Sequence, residues 1–83
     1  MYIGQVVCSV SGHDKGIFMV VVGQDNKGLL VCDGKHHRIE KPKRKNIKHL
    51  RFTSLKLDGQ QYQTNKAIRK AIFENFKSYK EEA

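Results

Sequence analysis

The sequence predicts a mostly β domain with one C-terminal α-helix: five short strands closing a small barrel, and an amphipathic helix packed on it. Three observations carry this expectation. Residues 5–32 alternate β-branched runs with glycine-bearing turns. From Lys66 the apolar residues change to a spacing of three and four, the period of a helix face. A length of 83 residues leaves room for a single small domain.

The first strand is Gln5 to Val10, between Gly4 and Ser11-Gly12, and the second runs from Ile17 to Gly23. Leu29 to Cys32 is the third, and Arg38 to Glu40 a short fourth. The turns between them carry hairpin chemistry. Gly12 and Gly16 bracket a tight loop, and Asp25-Asn26-Lys27-Gly28 supplies residues tolerant of positive φ. Asp33-Gly34 fits a two-residue type I′ hairpin. Lys41-Pro42-Lys43-Arg44-Lys45 then breaks the ladder, because Pro42 has no N–H to donate. Ile47 to Phe52 is the fifth strand, and five strands suffice to close a barrel and remove its edges.

The expected organisation is thus a barrel over residues 1–52, a connector over 53–63 and a helix over 64–82. Within the connector, Ser54 to Leu57 can form a further short strand turned by Asp58-Gly59. Thr64 or Asn65 caps the helix by accepting from an unpaired backbone N–H. Ile17 to Val22 lacks polar alternation, so both faces of that strand need cover. A barrel covers the inner one, and Ile68, Ile72, Phe76 and Tyr79 of the helix are available for the outer.

Lysine and arginine number 16 against 8 acids, for a net charge of +8. The excess is concentrated. Lys35 to Lys56 holds nine bases and one acid, Glu40, while the rest of the chain holds seven of each. A surface kept basic for solubility would intersperse both signs, so one charged band points to a polyanion partner, RNA before a membrane surface. Expected to face RNA are Lys35, Arg38, Lys41, Lys43, Arg44, Lys45, Lys48 and Arg51, with His36, His37 and His49 among them, extended by His13 and Lys15 of the first loop. With few aromatics outside core positions, the inventory suits structured RNA gripped by its backbone better than single strands read by stacking.

Other functions have little support. The longest apolar run, Ile17 to Val22, is too short for a membrane span or an export signal, so a cytoplasmic, membrane-free and monomeric protein is expected. Cys8 and Cys32 lie in apolar strands without Cys-x-x-Cys spacing and read as buried thiols; no metal or other cofactor is expected. His13-Asp14 has no accompanying nucleophile, and no phosphate-cradling glycine loop occurs, so no enzyme is expected.

Val6 to Leu50 resembles the KOW-motif family. The resemblance rests on Val6-Val7 ahead of a Gly-x-Asp-Lys-Gly turn (Gly12, Asp14, Lys15, Gly16), on the apolar strand Ile17 to Val22, and on Val31-Cys32-Asp33-Gly34-Lys35. Lys41-Pro42-Lys43 and Lys48-His49-Leu50 complete it. The chain is similar to small ribosomal-protein-like KOW proteins of the eukaryotic-type fourteenth large-subunit family. That resemblance implies an SH3-like five-stranded barrel whose loops contact RNA, commonly ribosomal RNA, in translation and without catalysis. It implies that Gly16 is the motif glycine and that Lys15, Lys35, Lys41 and Lys43 face RNA. KOW barrels also serve transcription factors, so the alternative is an adaptor docking proteins of the transcription or translation machinery through barrel or helix.

Overall fold

The computed structural model describes residues 2–76. Five antiparallel strands form one sheet: β1 (Gln5–Ser9), β2 (Phe18–Asp25), β3 (Gly28–Cys32), β4 (Lys43–Lys45) and β5 (Leu50–Lys56), in the order β4-β3-β2-β1-β5. A 3₁₀ turn over Ile47–His49 joins β4 to β5; a second, over Gly59–Tyr62, leads into helix α1 (Asn65–Phe76). The expected helix beyond Phe76, with Lys77, Tyr79 and Lys80, lies outside the described residues.

The register sorts the apolar residues onto two faces. Val6, Val20 and Cys32, paired across β1, β2 and β3, point to one side with Leu57, Ile68, Ala71 and Ile72. Val7, Met19, Val21, Leu29, Val31 and Leu50 fill the other. The unbroken apolar run of β2 is therefore covered twice, on one side by the helix and on the other by the sheet's own concave face. Ile68 and Ile72 are fully buried, each stabilising the packing by roughly 1.5–3 kcal/mol. Phe76 stacks on Phe18 with centroids 4.0 Å apart. Thr64 caps the helix: its hydroxyl oxygen accepts from the Ala67 N–H at 3.0 Å.

The sheet curls. Were it flat, β4 and β5 would stand about 19 Å apart, four strand spacings of about 4.8 Å. Lys45 and Leu50 are instead bridged by Asn46 and the three-residue 3₁₀ turn, which at about 2 Å per residue limits the gap to about 13 Å. Register shifts between Gln5 and Val7 and between Val21 and Gly23 add the local twist that such curvature needs. Among the described residues no ladder joins β4 to β5.

Several expected boundaries move. Arg38 to Glu40 is not a strand: the Lys41 N–H donates to the Arg38 carbonyl in a turn, and the Ile39 N–H donates to Asn65 Oδ1 of the helix at 2.7 Å. The fourth strand is Lys43–Lys45, directly after Pro42, within the segment expected to break the ladder. Pro42 precedes the pairing, so its missing N–H costs the sheet nothing. Asp33-Gly34 is not a two-residue hairpin. The buried Asp33 carboxylate accepts from the N–H groups of Lys35 and His37, and this side-chain turn opens a loop over residues 33–42. Ile47 to His49 is 3₁₀ rather than strand, and β5 runs on through Thr53 to Lys56, absorbing much of the expected connector and its further strand.

Candidate nucleic-acid interface

The candidate interface begins at the polar end of the concave face. Lys45 is registered opposite Leu29, so its side chain points inward. There its ammonium lies 3.1 Å from Asp14 Oδ1, with both side chains 8% exposed. Ser9 Oγ donates to the same oxygen at 2.8 Å, and Lys45 Nζ also donates to the Ser11 carbonyl at 3.2 Å. Burial works to raise the Asp14 carboxyl. The hydrogen bonds from Ser9 and Lys45, and the charge of Lys45, outweigh it and hold the group below its ordinary range. Asp14 Oδ2 takes no hydrogen bond among the described residues, and His37 Nε2 stands 3.7 Å from it.

This cluster ties three segments together: the Gly12–Gly16 loop, the 33–42 loop and β4. Gly12 and Gly16 hold φ of 83° and 88°, where a side chain is disfavoured. The 33–42 loop is fixed from the opposite side by the helix. Asn65 accepts from Ile39 N–H and donates to Glu40, while Arg69 donates to the Gly34 carbonyl. Gly34 sits so close to the helix start that a Cβ there would lie 2.4 Å from the Asn65 carbonyl oxygen. The loop that carries Lys35, Arg38 and Lys41 is thus held by named contacts on two sides.

Two adjoining clefts result. A groove of ≈ 610 Å³ is lined by His36, His37, Arg38, Lys41, Pro42, Lys43 and Arg44, with no acid among them. A second, of ≈ 290 Å³, is lined by His13, Asp14, Ile17, His36, His37 and Lys43. Among the described residues Arg38 makes an exposed 3.7 Å pair with Glu40, worth little in water. Arg44 is more committed: its guanidinium meets Asp25 Oδ2 through Nε at 2.9 Å and a terminal nitrogen at 2.8 Å. The Lys27 backbone N–H and then Arg44 hold the Asp25 carboxyl low.

The structure brings together His13, His36, His37, Arg38, Lys41, Lys43 and Arg44 of the expected RNA-facing set. Lys15 and Lys35 are exposed on the neighbouring loops. Lys45 is a correction. Expected to face RNA, it is buried against Asp14, because alternation along β4 turns Lys43 and Lys45 inward and only Lys43 reaches the cleft mouth. Lys48, His49 and Arg51 are exposed but line neither cleft. Arg51 is registered opposite Cys8, and its charge works against the burial that raises that thiol. Cys8 and Cys32 are buried and unpaired with each other; burial, then Asp33 and Glu40, pushes the Cys32 thiol up to about 12.

Sequence reasoning missed Asp14 as the loop's electrostatic anchor and Asn65 and Arg69 as the clamp on the basic loop. An acid between two turn glycines was the available signal for the first. Nothing local marks the second, since Asn65 and Arg69 act on residues 25 to 35 positions away. Ser9, Asp14 and His37 do not form a catalytic relay, because the Ser9 hydroxyl donates to the carboxylate and not to the imidazole. No described helix is long and apolar enough to cross a membrane. In comparisons with known proteins, no family model and no curated protein matches the chain.

Proposed function

We propose that this protein is a non-catalytic RNA-binding module of the KOW type, an SH3-like barrel that grips structured, ribosomal RNA by its phosphate backbone in ribosome structure, assembly or translation. The observation that carries the reading is the acid-free groove of ≈ 610 Å³ lined by His36, His37, Arg38, Lys41, Lys43 and Arg44. Clustered cations in a concave, pre-fixed surface neutralise successive phosphates and release their counterions. The barrel reading is supported by the curl of the sheet and the short link between its two edge strands. Burial of Ile68 and Ile72 against the sheet weighs against the helix as a docking face for a protein partner.

The test is binding of a structured RNA hairpin across a salt series. With three or four phosphates engaged by Arg38, Lys41, Lys43 and a partly committed Arg44, log affinity should fall with log salt at a slope of about −3 to −4. Replacing Arg38, Lys41 and Lys43 together by Gln should bring the slope to about −1. An unchanged slope removes the groove from the interface. Co-sedimentation with ribosomal subunits tests the ribosomal part of the reading, and its absence under low salt overturns that part.

A further inference from the structure

We infer that the ≈ 290 Å³ cleft beside the groove is a seat for a single unpaired base, so that the preferred ligand is RNA with an extruded nucleotide rather than an uninterrupted duplex. The inference rests on the RNA reading above and deepens it.

The two clefts share His36, His37 and Lys43 but differ in what else lines them. The groove adds Arg38, Lys41, Pro42 and Arg44, three of them cationic. The smaller cleft adds His13, Ile17 and Asp14. Asp14 at the wall is already matched by Lys45 at 3.1 Å, so beyond Lys43, which the two clefts share, this cleft adds no lysine or arginine for a phosphate. It adds instead an aliphatic surface from half-buried Ile17 beside the side chains of three histidines. An uncharged planar group suits such a lining, and bases stack on histidine as they do on larger aromatics. His13 and His36 are exposed, so both rings are open to such a contact. His37 is held between Asp14 and the cleft, 3.7 Å from the carboxylate.

Lys43 stands at the junction. A backbone following the groove passes it where the smaller cleft opens, so its ammonium can hold the phosphate next to the base that turns in. A base within an A-form duplex cannot reach the cleft, and one already unpaired costs least to turn out.

The experiment compares a short RNA hairpin carrying one unpaired adenosine with the same hairpin lacking it, against the full chain. The bulged hairpin should bind about tenfold more tightly. His13→Ala should bring the ratio of the two affinities to about one, since His13 lines the smaller cleft but not the groove. His13→Phe should restore the preference, because it returns a ring and no charge. Equal binding of the two hairpins by the unaltered protein overturns the base seat and leaves the RNA reading standing. An equal loss on both hairpins in His13→Ala, not rescued by Phe, makes His13 a phosphate contact and also overturns it. No binding of either hairpin refutes the RNA reading itself.

Discussion

Removing the buried cation, Lys45→Met, should be among the most destabilising single changes in the molecule. The substitution keeps an unbranched chain of similar reach and leaves the Asp14 carboxylate without its charged partner. At 3.1 Å the two charges attract by about 5 kcal/mol in a medium of effective dielectric about 20. Each side chain is only 8% exposed, so solvent replaces little of this. Breaking such a buried pair from one side costs about 3–5 kcal/mol. A domain of this length has roughly 4–12 kcal/mol in total, so the variant should melt at least about 12 °C lower or fail to fold. The assay is urea unfolding followed by circular dichroism, run as a cycle with Asp14→Asn and the double variant. Asp14→Asn removes the charge that Lys45 serves, so the double variant should recover about 2–3 kcal/mol over additivity. The pH dependence carries the sign. In the unaltered protein the Asp14 carboxyl lies below its unfolded value, so its contribution is present above the unfolded value, about 3.9, and is lost as pH falls through the folded one. Without Lys45 two of the influences that lower the carboxyl are gone, so acidification takes less from the variant and the gap to the unaltered protein narrows. A loss under about 1 kcal/mol, or an additive cycle, would refute the claim that this pair anchors the loop.

Ile72→Asp should destabilise by a few kcal/mol through a buried unpaired charge; an unchanged melting temperature would mean the helix is not packed on the sheet. Gly34→Ala should cost more than Gly16→Ala, although both positions have φ near 80–90°: a Cβ at Gly34 meets the Asn65 carbonyl oxygen at 2.4 Å, while Gly16 has nothing within 4 Å. The open site should lose about 1–2 kcal/mol from backbone conformation alone, whereas Gly34→Ala should also weaken RNA binding by displacing the basic loop; equal melting temperatures for the two would sink this distinction. Cys32, buried and with its thiol pushed up to about 12, should resist alkylation near neutral pH until the protein unfolds, which mass spectrometry of iodoacetamide-treated samples would show.

Much of the architecture was legible because its causes are local. The two-faced apolar run of β2 called for cover on both sides, and the stripe of Ile68, Ile72 and Phe76 supplied one cover. The hairpin at Asp25 to Gly28 also follows from its own residues, with the Asp25 carboxylate accepting from the N–H groups of Lys27 and Gly28. The region from Asp33 to Lys45 was misread because its backbone partners are remote. Asp33-Gly34 has hairpin composition, yet the Asp33 carboxylate and the helix start draw the chain into a wide loop. Pro42 signals a break, yet pairing begins one residue later, where an N–H is available again.

Composition and order alone fixed the charge: nine of the sixteen basic residues stand in one 22-residue band around a single acid, whatever the fold. Pattern alone also determined a β-rich body with a helix at its end. Which cations can meet a ligand was decided by tertiary structure. Lys43 and Lys45 are the same residue type two positions apart, on the same side of the same strand. One reaches the mouth of a cleft and the other lies under Asp14, a residue 31 positions away. Charge is a property of the chain. Its exposure depends on where the curled sheet brings a distant carboxylate, and a linear sequence holds that distance only implicitly.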